Sequence, residues 1–156
     1  MEIRRFREQD IDAVFAIQQA AYRPLYEKYR DDATNPYMET KETVFRKYTH
    51  PLTKGYVFIV DGAIVGAVRI YADQETGRGK VSALGVLPEY QGRGIAQQAL
   101  LHIEMLHPEV SHWSLDTILQ EEGNCHLYEK LGYVRTGNTE AINDRLTLVF
   151  YEKRRV

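Results

Sequence analysis

Cysteine is almost missing: Cys125 is the single thiol in 156 residues. No intramolecular disulfide can form, which excludes a disulfide-stapled secreted scaffold and suits a reducing, cytoplasmic setting. Long apolar runs are missing too. No stretch approaches the ~20 residues of a membrane span, and the opening segment MEIRRFREQD lacks the apolar centre of a signal peptide. Neither sign of charge is in excess. Twenty Lys and Arg face twenty-two Asp and Glu, a net charge of -2, which argues against nucleic acid as a partner. The five histidines show no metal-ligand spacing, so no metal is expected. No repeat, low-complexity tract or linker interrupts the chain, and residues 1–156 read as one domain. A domain of this size buries about 68–70% of the surface its unfolded chain exposes.

What is present has a clear order. Glu2 to Phe6 reads as a strand, and Asp10 stands where it can cap a helix carrying Val14, Ile17 and Ala21 on one face. Pro24 is expected to end or bend that helix. Thr40 can cap a second helix with Val44, Phe45 and Tyr48 on its apolar side. Tyr56–Val60, the turn Asp61-Gly62 and Ala63–Tyr71 predict a hairpin, followed by a strand over Lys80–Val86. A helix with Ala96, Ala99, Leu100, Ile103 and Leu106 at helical spacing comes next. A strand over His112–Leu119, a short helix over Asn124–Leu131 closed by Gly132, and a final strand pair (YVRTG, RLTLVFYEK) complete the chain. The predicted order is β-α-α-β-β-β-α-β-α-β-β, an α+β fold around one mostly antiparallel sheet.

The segment QGRGIA, Gln91 to Ala96, joins a buried strand to a helix start. Glycine allows positive φ and close backbone approach. The first turn of a helix has four N–H groups without intrahelical partners, at the positive end of the helix dipole. The stretch therefore suits either a phosphate cradle or a glycine-rich turn without a ligand. It matches neither G-x-x-x-x-G-K-[ST] nor G-x-G-x-x-G, so an NTP-binding loop and a dinucleotide fold are disfavoured.

The longer stretch ALGVLPEYQGRGIAQQALLHIE closely resembles the acetyl-CoA-binding motif of the GCN5-related N-acetyltransferase (GNAT) superfamily, a strand followed by Gln/Arg-x-x-Gly-x-Gly/Ala and a helix. Gln91, Gly94 and Ala96 fill that pattern, LYEKLGYV resembles the family's second recurring segment, and the element order also matches. The resemblance implies a sheet flanked by helices and splayed at the coenzyme site. It implies that Gln91, Gly92, Arg93, Gly94, Ile95, Ala96 and Gln97 hold the coenzyme pyrophosphate. Leu84, Gly85 and Val86 would pair through their backbone with the pantetheine arm, and an amide among them would polarise the thioester carbonyl. It implies an acetyl-CoA-dependent N-acetyltransferase acting on a small or peptide amine by direct attack, and a homodimer is compatible with it.

Tyr128 stands where the family commonly has a tyrosine near the coenzyme sulfur, and its phenol suits a general acid. The family often has Asn seven positions before that tyrosine. Glu121 stands there instead, with Asn124 one helical turn later, so either Asn124 contacts the pantetheine arm or Glu121 takes a polar role. The base is open. Many relatives carry an acid in the strand that here reads KVSAL, where Ser82 could hold a water; Glu121, Glu122, Asp116 and His112 are the other candidates. Cys125 reads as a buried, inert thiol. The first helices and last hairpin usually flank the acceptor in this fold. Tyr22, Tyr26 and Tyr29 there, with Tyr37 and the acidic segment TEAINDR, suit a cationic amine. The rival from another class is a non-catalytic acyl-CoA sensor or scaffold, suggested by the missing acid in KVSAL.

Overall fold

A computed structural model describes residues 1–155. The elements in chain order are β1 (Glu2–Arg5), α1 (Ile11–Tyr29), α2 (Lys41–Tyr48), β2 (Thr53–Val60), β3 (Ala63–Asp73), β4 (Arg78–Val86), α3 (Ile95–Leu106), β5 (His112–Ile118), α4 (Glu122–Lys130), β6 (Val134–Ala141) and β7 (Thr147–Arg154). They build one seven-stranded sheet in the order β1-β2-β3-β4-β5-β7-β6. Its one parallel pair is β4–β5; every other neighbouring pair is antiparallel. The β2–β3 hairpin turns through Asp61 (φ 50°) and Gly62 (φ 80°), two left-handed residues in succession, as its Asp-Gly sequence demands.

The sheet buries both faces. One face carries the larger core, where Phe58, Val68, Ile70, Trp113 and Leu115 meet Leu100 and Ile103 of α3. The other carries a smaller core in which Val14 of α1 and Val44 and Tyr48 of α2 cover Val57 and Ala67. No helix among the described residues is long and apolar enough to cross a membrane.

Three local expectations need correction. Pro24 does not end α1, which runs unbroken from Ile11 to Tyr29 and stops at Arg30, a left-handed residue (φ 52°) whose N–H bonds to the Tyr26 carbonyl. Burial of Val14, Ile17, Gln18 and Tyr29 on one side of this helix outweighs the roughly 3 kcal/mol that an interior proline costs. Asp10 does not cap α1 with its side chain; its carboxylate instead accepts from Arg7 N–H (2.8 Å) and from the Arg4 guanidinium (2.8 and 3.0 Å). The final hairpin is longer than YVRTG suggests. β6 reaches Ala141 and its register shifts between Arg135 and Thr139, around Gly137.

Candidate active site

The site begins with a failure of strand pairing. β4 and β5 pair only through Arg78–His112, Gly79–Trp113 and Lys80–Ser114. Both strands continue, β4 to Val86 and β5 to Ile118, but they no longer pair. On its other edge β4 is bulged. Arg69 pairs with Ser82 and Ala67 with Gly85, so Val68 faces two residues, and Ala83 takes φ 50°. Beyond the bulge, Leu87 N–H bonds to the Val65 carbonyl on β3 (2.8 Å). Antiparallel alternation then turns the N–H and C=O of Val86 and Leu84 away from β3, toward the gap. Their carbonyls have partners: the Tyr22 hydroxyl donates to Leu84 O (2.7 Å) and the Gln91 amide to Val86 O (2.9 Å).

A cleft of about 1220 Å³ passes through this opening. On the α3–α4 side it is lined by Gln91, Gly92, Gly94, Ile95, Ala96 and Gln97, and by Asn124 and Tyr128 of α4. Gly92 and Gly94 have φ 76° and 77°, and an added Cβ at either would meet no protein atom within 4 Å. The loop is therefore bare backbone facing open space, and Gly94 stands as the left-handed cap of α3. Among the described residues no protein acceptor takes the N–H groups of Gly92 to Gln97; the first return bond of the helix is Gln98 N–H to Gly94 O (3.0 Å). Converging amides at a helix N-terminus suit an anionic pyrophosphate, so the residues present fit the coenzyme that the sequence implies. Arg93 does not line the cleft, and its guanidinium lies 4.9 Å from the centre of the Tyr90 ring.

Tyr128 is held by the way its helix ends. Tyr133 N–H bonds to Tyr128 O and Gly132 N–H to Glu129 O (3.0 and 3.1 Å), a Schellman motif with Gly132 at φ 98°. The Tyr133 ring packs against Tyr128 edge-on at 6.1 Å, and the Tyr151 ring lies 6.4 Å away. The Tyr128 hydroxyl has no protein partner among the described residues. Burial holds its phenol well above the usual tyrosine range, reinforced by the charge of Asp116. It stays protonated at neutral pH, as a donor must.

The base candidates separate. Ser82 and Asp116 line the cleft, with Lys80 Nζ 3.5 Å from the Asp116 carboxylate. His112 bonds to Glu152 (3.0 Å) away from the cleft, and Glu122 does not line it. Glu121 lines the cleft but is engaged: Lys28 (2.8 Å) and the Tyr29 hydroxyl (2.5 Å) both donate to it. Burial works against its charge, yet these two hydrogen bonds outweigh that and hold its carboxyl below the usual range. Such a group is a poor base. Cys125 is buried off the cleft, its Sγ 3.7 Å from the Ile118 carbonyl.

The tyrosines divide as well. Tyr22 lines the cleft, whereas Tyr26 and Tyr29 do not. Tyr29 is buried against Glu121, and Tyr26 stacks on Tyr37 and bonds to Asp32. No residue of the Thr139–Arg145 segment lines the cleft; Asn143 instead ties that hairpin to the Tyr29 carbonyl (2.9 Å). Of the expected aromatic and acidic acceptor residues, Tyr22 alone lines the cleft among the described residues. Arg69 of β3, Lys80 of β4 and Lys47 of α2 line the cleft as well, unsignalled because arginines and lysines usually face solvent. No group of three or more His, Cys, Asp or Glu among the described residues is placed to hold a metal ion.

Known structures share this fold. The ribosomal-protein-S18-alanine N-acetyltransferase of Escherichia coli superposes with TM-score 0.77 at 16% identity, over 98% of this chain and 92% of that one. The PaiA N-acetyltransferase of Thermoplasma acidophilum, solved in complex with coenzyme A, gives TM-score 0.75 at 16% identity, over 99% and 98%. A Vibrio cholerae spermidine N-acetyltransferase chimera gives 0.74 at 16%, over 99% and 96%. At such identities the likeness establishes the fold. The model of the acetyltransferase (GNAT) family matches residues 22–133, which include β4, the glycine loop, α3 and α4. The chain belongs to the acetyltransferase (GNAT) family.

Proposed function

We propose that the chain is an N-acetyltransferase that uses acetyl-CoA to acetylate a primary amine by direct attack in a ternary complex. The observation that carries this is a juxtaposition: amides at the start of α3 and a Tyr128 hydroxyl, all without partners among the described residues, open on one cleft through the sheet. Structural neighbours whose names include a ribosomal-protein and a spermidine N-acetyltransferase support it. Bound acetyl-CoA supplies an acetyl group activated as a thioester, so that a C–N bond forms as the C–S bond breaks.

The chain's own groups do the rest. The amides of Gly92 to Gln97 hold the pyrophosphate, each hydrogen bond to a charged oxygen contributing about 1.5–3 kcal/mol. Asn124 and the gap-facing backbone of Leu84 and Val86 hold the pantetheine arm, and the Val86 amide polarises the reacting carbonyl. Tyr128 donates a proton to the departing sulfur. An amine with a pKa of about 10.4 must lose a proton first, at about 4 kcal/mol near neutral pH. Asp116 and Ser82 are the cleft groups that can receive it through water.

Calorimetry with acetyl-CoA is the direct test. Binding in the micromolar range and amine-dependent release of free thiol are expected. No binding at millimolar concentration overturns the proposal, and binding without turnover on a broad amine panel converts it to a sensor.

A further inference from the structure

We infer that the acceptor amine also carries an anionic oxygen group, a carboxylate or a phosphate, and that Arg69 selects it; this rests on the acetyl-transfer reading above. The inference comes from the charge balance of the cleft. Its carboxylates are already engaged. Glu39 is bound by Lys47 and Gln18, Asp116 by Lys80, and Glu121 by Lys28 and Tyr29. Asp31 accepts from Asn35 and Thr34, and Asp32 from Tyr26. Two of the lining lysines, Lys47 and Lys80, are the partners in those pairs.

Arg69 is different. It lines the same cleft and is half-buried, yet its guanidinium has neither an ion-pair partner nor a hydrogen-bond acceptor among the described residues. The buried Tyr48 ring lies beside it, with the guanidinium carbon 6.0 Å from the ring centre. A guanidinium presents a rigid fork of donors suited to two oxygens of a carboxylate or phosphate. Removing it partly from water without such a partner is unfavourable. A ligand oxygen group supplies what the protein omits.

Position supports selection rather than mere attraction. Arg69 pairs in register with Ser82, next to the β4 bulge, and so stands on the α1–α2 face of the sheet with Tyr48. The glycine loop and Tyr128 hold the other end of the cleft. Between the two ends lies the Tyr22 hydroxyl, bonded to Leu84 O in the gap. An acceptor anchored at Arg69 would direct its amine along the wall of Ser82 and Asp116 toward that gap. A purely cationic polyamine would meet the unpaired charge of Arg69 at that end of the cleft.

The test is a set of matched acceptors assayed with acetyl-CoA: each proteinogenic amino acid against its α-amide and its decarboxylated amine, ethanolamine against O-phosphoethanolamine, and glucosamine against its 6-phosphate. In the wild type the anionic member of at least one pair should have a higher kcat/KM by about 10- to 100-fold, the scale of a charge-assisted hydrogen-bonded pair. The amino-acid and phosphate arms tell the two anion sources apart. Arg69→Met should erase that preference, mainly through KM, and leave the rate on the neutral partner and acetyl-CoA affinity by calorimetry within about threefold. Arg69→Lys should restore part of the preference, since it keeps the charge and loses the fork. If the wild type prefers the neutral or cationic member of every pair, the inference is overturned, whatever the variants do. An equal loss on both members in a folded Arg69→Met also overturns it, because Arg69 then only supports the bulge. Failure of the wild type to bind acetyl-CoA marks the different case in which the acetyl-transfer reading itself falls.

Discussion

Replacing Tyr128 by Phe separates chemistry from packing. The substitution removes one oxygen and keeps the ring between Tyr133 and Tyr151, whose centres lie 6.1 and 6.4 Å away. The hydroxyl has no protein partner among the described residues, so its removal orphans nothing. The Schellman bonds run through the Tyr128 carbonyl and are untouched. The stability change should therefore be smaller than the ~1 kcal/mol of one net hydrogen bond, a shift of less than about 2–4 °C in Tm for a chain of this size. The chemical step should slow by about 10²–10⁴-fold, or about 2.7–5.4 kcal/mol of barrier. Single-turnover release of thiol from enzyme preloaded with acetyl-CoA isolates that step from product release. The pH profile gives an independent check. Burial keeps the Tyr128 phenol protonated, so the wild-type rate should rise as the amine deprotonates and show no fall from loss of the acid below about pH 10. A folded Phe variant with the full single-turnover rate would refute the assignment and leave solvent as the proton source.

Two further substitutions probe the frame of the site. Gly94→Val puts a branched residue at φ 77° with no protein atom in its way, so the fold should survive with a strain of about 1–2 kcal/mol and a Tm lower by roughly 2–8 °C. Acetyl-CoA affinity should drop at least about tenfold through loss of cradle bonds, and unchanged affinity by calorimetry in the folded variant would dismiss the cradle. Glu121→Gln removes the charge shared with Lys28 and Tyr29. Because the Glu121 carboxyl sits below its usual range when folded, its contribution is complete above the unfolded value of about 4.3 and is lost as pH falls through the lower folded value. Thermal scans should show wild type above the variant at pH 7 and the two converging in acid; a gap that stays constant from neutral to acid pH would contradict this linkage.

The order of the elements was legible because local chemistry dictates it. Asp61-Gly62 can hardly be other than a hairpin turn, Thr40 caps α2 through its hydroxyl, and apolar spacing marks α3. The strand-loop-helix around Gly94 was legible for the same reason: its residues are contiguous, and their role depends on backbone shape. Pro24 misled because the helix that carries it is held by burial of Val14, Ile17, Gln18 and Tyr29. The residues around the far end of the cleft were harder to read, since their contacts join partners far apart in the chain. Glu121 meets Lys28 and Tyr29 across more than ninety residues, which turns two apparent binding groups into a brace. Arg69 has the opposite character: only the lack of an ion-pair partner among the described residues distinguishes it, and no spacing rule shows that.

The three-pair seam between β4 and β5 also divides the molecule by history. Strands β1 to β4 form one leaf from residues 2 to 86, and β5 to β7 form the other from residues 112 to 154. Each leaf is an uninterrupted piece of chain, so most strand pairings close over short sequence separations and carry little loop entropy. During synthesis the first leaf, with the two helices that cover one of its faces, is complete before the second exists. The edge of β4 beyond Lys80 therefore waits as an unpaired strand until β5 docks on its first three residues only. Both parts of the chain line the cleft, residues 21–97 and residues 115–148, so its lining is complete only on docking, around the pairs that are never made.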